Sequence, residues 1–243
     1  MTIEFRRPHP GEEPQLRALF TEAFHDEAFT DLFFSRGYAP TRCLGAFAGA
    51  LLAALHWFDC TLDGKKAAYI YGIAAWEAQR GRGIGSALIR AAVENLCREG
   101  YETILLVPAE EGLFGYYERF GFRTAGTIRE VRMTAGEPLL LQNLTVSQYA
   151  EARRRLLPEH GLIQEGECLE VLSGYAGFYA AGGAIAAVTG DMVWELLGEK
   201  EDAPGLIAAL GLKDATVRTP GPGRPFAMAL GGAGEVYLGL ALD

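Results

Sequence analysis

Cysteine is scarce. Cys43, Cys60, Cys97 and Cys168 are the four in 243 residues, with no CxxC pair and no Cys/His cluster. A disulfide scaffold and a structural zinc site are therefore not expected, and no other metal site is suggested; reduced, mostly buried thiols are. Long apolar runs are missing too. The longest, Cys43 to Phe58, is interrupted by Gly45, Gly49 and His56. It falls short of the ~20 residues that a membrane helix needs. Met1–Arg7 leads straight into polar sequence, so no signal peptide is expected and a soluble, cytoplasmic protein follows. Positive charge is also in deficit: 22 Lys+Arg against 31 Asp+Glu leave −9 at pH 7. That balance argues against nucleic acid as a partner.

What is present is ordinary globular material. Hydrophobic residues make up 49% and charged residues 22%, enough for one or two cores. Glycine is plentiful at 31 residues but follows no three-residue period, so a turn-rich α/β chain is expected rather than collagen. The charge is uneven. Residues 1–134 hold 15 basic and 17 acidic groups, and residues 135–243 hold 7 and 14. The shift falls near Ala135-Gly136-Glu137-Pro138, which marks a boundary between a domain at 1–134 and a smaller one at 135–243. An anionic ligand should prefer the first.

Periodicity organises the first half as mixed α/β. Thr2–Arg6 reads as a strand, Glu12–Phe24 as a helix, and Asp26–Phe34 as a second helix capped by Asp26. Cys43–Phe47 and Ala50–Leu62 read as a hairpin turning at Ala48-Gly49. Ala67–Ala74, apolar on both faces, reads as a central strand. Ile84–Arg98 is an amphipathic helix, Glu102–Val107 a buried strand, Leu113–Arg119 a short helix and Gly121–Met133 a strand. The second half loosely repeats this order. It has helices at Val146–Leu157 and Pro204–Leu210, an ambiguous Cys168–Leu172, and a hairpin at Phe178–Thr189 turning on Gly182-Gly183. Strands follow at Met192–Leu197 and Asp214–Arg218, with a last hairpin from Phe226–Leu230 and Glu235–Leu242. The PGPGRP run between them reads as a loop.

The sharpest local signal is Gln79-Arg80-Gly81-Arg82-Gly83-Ile84-Gly85-Ser86, which follows a strand and opens a helix. Successive backbone N–H groups and the positive end of the helix favour a phosphate there. Glycine removes the Cβ that would block its approach, and Arg80 and Arg82 add counter-charge. A P-loop would need a lysine that is absent, and the glycine spacing fails the GxGxxG fingerprint.

The spacing R-x-x-G-x-G, met by Arg80, Gly83 and Gly85, resembles the acetyl-CoA loop of the GNAT superfamily of N-acyltransferases. "AYIYGIAAWEAQR", 68–80, is similar to that superfamily's central strand and its lead into the loop. "LFGYYERFGF", 113–122, resembles its later signature of an aromatic-Tyr pair followed by Gly-Phe. The order of elements over about 1–134 matches as well. A bacterial subgroup with a second, degenerate GNAT-like half is the nearest resemblance, in the wording of "FHDEAFTDLFF" and "LVPAEEGLFGYYERFGF".

The resemblance implies a GNAT fold: α/β (α+β), with a mixed, mostly antiparallel central sheet flanked by helices, followed by a smaller GNAT-like α/β domain. It implies acetyl-CoA as co-substrate, with its pyrophosphate on the amides from Arg80, Gly81, Arg82, Gly83, Ile84 and Gly85 to Ser86. Its pantetheine would pair with Ile73, Ala74 and Ala75 as an added strand. Tyr117 matches the tyrosine that often serves as general acid towards the departing thiolate; a core tyrosine is the alternative. Tyr116 is expected to pack. For the base, Glu77 acting through water is the candidate, against a plain surface glutamate. His56 could face the cleft or be structural, and Glu110 and Glu111 could attract a cationic substrate or simply be solvated. The C-terminal Asp243 could bring a carboxylate to the cleft. The family's frequent Asn after the fifth strand is replaced here by "VPAEEG". The second half lacks the loop, and the acids Glu199, Glu201 and Asp202 in the equivalent place would repel a pyrophosphate. The implied activity is N-acetylation of a primary amine, small molecule or peptide, by direct attack in a ternary complex. A non-catalytic CoA sensor or scaffold is the alternative.

Overall fold

A computed structural model of the chain describes residues 2–232 and 234–242. Its contacts divide the chain into two compact units. The first is the chain up to Leu106 with Gly112–Arg123 and Ala229–Gly232; the second is Val107–Glu111, Thr124–Met228 and the residues after Gly232.

The first unit contains β1 (Glu4–Arg6), α1 (Glu13–Phe24), α2 (Glu27–Arg36), β2 (Cys43–Ala48), β3 (Ala50–Leu62), β4 (Lys65–Ala75), α3 (Ile84–Arg98), β5 (Thr103–Leu106) and α4 (Phe114–Glu118). The sheet order is β1-β2-β3-β4-β5. The first three pairings are antiparallel and β4–β5 is parallel. The helices start and stop for local reasons. Asp26 caps α2 by accepting the Phe29 N–H at 2.8 Å. α1 ends on His25 in the left-handed region, whose N–H returns to Thr21 O. Leu16 and Leu19 of α1, Phe33 of α2 and Leu88, Ile89 and Leu96 of α3 are buried completely, which explains the 3.6-residue period of each segment.

Apart from Arg123 and Ala229–Gly231, the second unit contains β6 (Arg123–Thr134), β7 (Leu141–Asn143), α5 (Val146–Leu156), β8 (Ile163–Gln164), α6 (Glu167–Leu172), β9 (Gly177–Ala181), β10 (Ala184–Thr189), β11 (Met192–Gly198), α7 (Ala203–Ala209) and β12 (Asp214–Gly231). Its strands run β12-β11-β10-β9-β7, with β6 beside β12. Again three antiparallel pairings are followed by one parallel pairing, β11–β12, across a helix. The succession strand, two helices, hairpin, strand, helix, strand thus occurs twice. In the second copy α7 covers a core of Val188, Val193, Leu196, Leu206, Ile207 and Val217.

Two sequence expectations are corrected. Phe226–Leu230 and Glu235–Leu242 do not form a hairpin. The first is the end of β12, and among the described residues the second carries only an isolated bridge from Tyr237 to Gly161. The PGPGRP run is no loop but the middle of β12. Proline's fixed φ suits extended backbone, and at Gly223 a Cβ would lie 2.1 Å from Ile128 O, so glycine lets β6 come close. By its contacts Thr124–Thr134 groups with the second unit. The short strands β7 and β8 have too few residues to show a period.

Candidate functional site

The site is built on the end of β4. Ala67–Thr103, Ala68–Ile104 and Tyr69–Leu105 are the parallel pairs with β5, whereas β4 runs on to Ala75. On its other side, β4 pairs with β3 through Ala54–Ala74 and Ala53–Ala75. The step from His56–Tyr71 to Ala54–Ala74 leaves an extra residue on β4, a bulge at Gly72-Ile73. Gly72 has φ +64°, and a Cβ there would meet the Phe20 ring at 2.7 Å. Glycine is therefore required twice over, by backbone angle and by space. Trp76 clamps the strand's end: its N–H donates to Leu52 O at 3.3 Å and its indole N–H to Leu51 O at 2.9 Å.

Past a short turn at Glu77–Gln79 the chain enters the glycine loop. Gly81 and Gly83 have φ +74° and +77°, and a Cβ on either would find no atom within 4 Å. Gly83 is the N-cap of α3, so no side chain caps that helix, and its first turn holds no acidic residue. The leading N–H groups at Ile84, Gly85 and Ser86 have no intrahelical acceptor. They lie beside the exposed Arg80 and Arg82. Arg80 Nε donates to Ala75 O at 3.3 Å, and Arg82 hydrogen-bonds Gln79. The donor set suits a pyrophosphate.

Two motifs far apart in sequence meet here. The Tyr116 hydroxyl lies 3.2 Å from Ser86 Oγ. Tyr117, on the same short helix, is buried with its ring edge-on to Tyr116 at 5.2 Å and to Phe122 at 6.2 Å. Burial, and secondarily Tyr116, pushes its phenol up to about 12. Among the described residues no group hydrogen-bonds that hydroxyl.

The other candidates are elsewhere. Glu77 is exposed; its N–H donates to Glu22 Oε1 at 2.8 Å, and no contact joins it to Tyr117 among the described residues. His56 is wholly buried between Phe33, Phe58 and Tyr38, accepts the Ala39 N–H at 3.4 Å, and is pushed down to about 3 by burial, with Arg42 adding to it. It is a structural, neutral imidazole. Glu110 and Glu111 are exposed. Asp243 lies outside the described residues. Sequence reading missed Gly72 and the Tyr116–Ser86 contact. The first had a signal, a lone glycine inside a strand pattern; the second, across thirty positions, had none.

In the second unit the segment between β11 and α7, Glu199–Asp202, carries no glycine. Asp202, in the Lys200–Asp202 turn, accepts the Gly183 N–H at 2.7 Å, and the helix behind it has seven residues. Among the described residues no helix is long and apolar enough to cross a membrane, and no cluster of three His, Cys, Asp or Glu could hold a metal.

The family model described as "Acetyltransferase (GNAT) domain" matches residues 4–125. Solved structures are similar over nearly the whole chain. A probable N-acyltransferase from Enterococcus faecalis V583 is 14% identical, with a TM-score of 0.71 over 94% of this chain and 72% of that one. A GCN5-related N-acetyltransferase from Kribbella flavida is 16% identical, with a TM-score of 0.70 over 94% and 70%. Another from Anabaena variabilis ATCC 29413 is 14% identical, with a TM-score of 0.73 over 94% and 72%. At these identities the likeness is one of fold. No curated protein matches the chain.

Proposed function

The chain belongs to the GNAT acetyltransferase family, and from that premise we propose that it is an acetyl-CoA-dependent N-acetyltransferase acting on a primary amine. The observation that carries this is the adjacency of three things: the stretch of β4 that runs on past its pairing with β5, the glycine loop and the uncapped start of α3.

In this mechanism the pyrophosphate rests on the amides from Arg80 to Ser86, with Arg80 and Arg82 as counter-charge. Pantetheine extends along Ile73–Ala75, taking the hydrogen-bonding edge that β5 leaves free. The thioester then reaches the point where β4 and β5 part, and a backbone N–H of β4 donates to its carbonyl oxygen. The amine arrives as an ammonium and must lose a proton first; Glu77 takes it through water. The nitrogen attacks the thioester carbon, the C–N bond forms and the C–S bond breaks. Of the two protons the ammonium loses, one ends on the CoA sulfur and the other goes to solvent. Tyr117, held protonated by burial, presents its O–H to the departing sulfur and relays that proton.

The second unit is proposed as a diverged copy of the first that has lost the cofactor site. Its repeated order of elements supports this, as does the Asp202 carboxylate occupying the turn before α7. The free cysteines, three of them buried, support a reducing, cytoplasmic setting.

The test is acetyl-CoA calorimetry on the purified protein, together with free-thiol release across a panel of amines. Binding with amine-dependent release is expected. Binding without release for any amine would favour a CoA sensor, and absence of binding would mean that the loop has been misassigned.

A further inference from the structure

Ser86 is the third residue of α3, so its N–H is one of the leading amides of that helix. The Tyr116 hydroxyl reaches it at 3.2 Å and would lie 3.8 Å from a Cβ on Gly85, so the phenol overhangs the first turn. The Tyr116 ring is held from three sides. Phe120 meets it edge-on at 5.2 Å, the Arg119 guanidinium lies 4.7 Å from its centroid, and Tyr117 stands edge-on at 5.2 Å. α4 has five residues, too few to be stable alone. Its placement depends on such tertiary contacts, and the tie to Ser86 is the polar one that reaches the cofactor loop.

We propose that Tyr116 is a positioning residue: its hydroxyl ties the helix that carries Tyr117 to the anion-binding turn of α3, so that occupancy of that turn and the aim of Tyr117 are set together. This rests on the acetyltransferase reading above. Packing alone would be served by phenylalanine, which keeps all three ring contacts. Among the described residues the hydroxyl's one hydrogen-bond partner is Ser86. Ser86 accordingly has two separate duties, with its N–H towards the anion and its Oγ towards Tyr116. The tie also keeps the Tyr117 ring from turning, because Tyr116 and Phe122 are its edge-on neighbours.

The experiment compares kcat and the acetyl-CoA KM for the wild type, Tyr116→Phe, Ser86→Ala, the double variant and Ser86→Thr. Loss of the tie should lower kcat about tenfold in Tyr116→Phe, with KM moving less than about threefold. The double variant should have the kcat of Ser86→Ala, because both changes cut one bond. Ser86→Thr, which keeps a hydroxyl, should recover most of the kcat that Ser86→Ala loses. A rise in KM with kcat intact would make Tyr116 a phosphate contact and overturn the positioning role, as would additive losses or an unchanged kcat. A wild type that turns over beside unaffected variants overturns this role alone. A wild type that neither binds acetyl-CoA nor turns over overturns the acetyltransferase reading, and this role with it.

Discussion

Tyr69 and Leu105 are the last parallel pair between β4 and β5, and among the described residues β4 continues to Ala75 paired only with β3. The gap that opens is shaped from the far side by the bulge at Gly72. Gly72→Ala would put a methyl group 2.7 Å from a Phe20 ring that is wedged against Phe24, Phe33 and Phe34. It would also force alanine to φ +64°. Together the clash and the backbone strain should cost about 2–4 kcal/mol. Urea denaturation measures this, and a loss below about 0.5 kcal/mol would show that the bulge is not held by Phe20.

Tyr117→Phe removes the hydroxyl proposed as donor to the leaving sulfur and leaves the ring contacts in place. The expected result is a drop in kcat of about a hundredfold with acetyl-CoA affinity nearly unchanged. The phenol is pushed up to about 12. The wild type should therefore show no alkaline loss from this group below about pH 10. Steady-state thiol release across pH tests both statements. An unchanged rate would remove Tyr117 as the acid without removing the enzyme.

His56 gives stability a pH dependence. The unfolded chain protonates it near the ordinary histidine value of ~6.5, and the folded chain only near about 3, because burial opposes the charge, as does Arg42. Between those values the unfolded state holds more protons. The contribution is whole above about 6.5 and is lost progressively as pH falls from there towards 3. The other three histidines, His9, His25 and His160, are exposed. Thermal melts at pH 7, 6 and 5 should fall more steeply for the wild type than for His56→Leu. Parallel slopes would contradict this.

The second unit holds a wholly buried ion pair. Arg153 donates to both Glu195 oxygens, at 2.7 and 3.0 Å, and to Leu162 O at 2.9 Å. Tyr149 and Tyr237 donate to the same carboxylate at 2.8 and 3.1 Å. Arg153→Met strands a buried charge and should cost about 3–5 kcal/mol. Arg153→Met with Glu195→Leu should recover most of that, since no charge is left unpaired. Urea titrations of the two variants decide it, and a double variant no more stable than the single one would be the contrary result.

The glycine loop and its helix were legible in sequence. α3 runs over the very residues its period marks, Ile84–Arg98, and Gly83 stands where the backbone turns left-handed. The Asp26 cap, the β2–β3 hairpin and the central place of β4 were legible for the same reason. Backbone angles, capping and the alternation of apolar residues are properties of neighbours in the chain. Where the signal was ambiguous it misled: prolines and glycines from Pro220 to Pro225 resemble a loop, but become a strand once β6 lies close enough to need them.

The sequence alone therefore determined the local parts of this protein: a strand leading into a glycine loop, a helix behind it, and a tyrosine pair further on. Only the tertiary structure decided where β5 leaves β4, that His56 is sealed among aromatic rings, and that Tyr116 reaches Ser86. Those outcomes depend on partners tens of residues apart and on how much water each side chain loses on folding. Neither is written in the spacing of near neighbours.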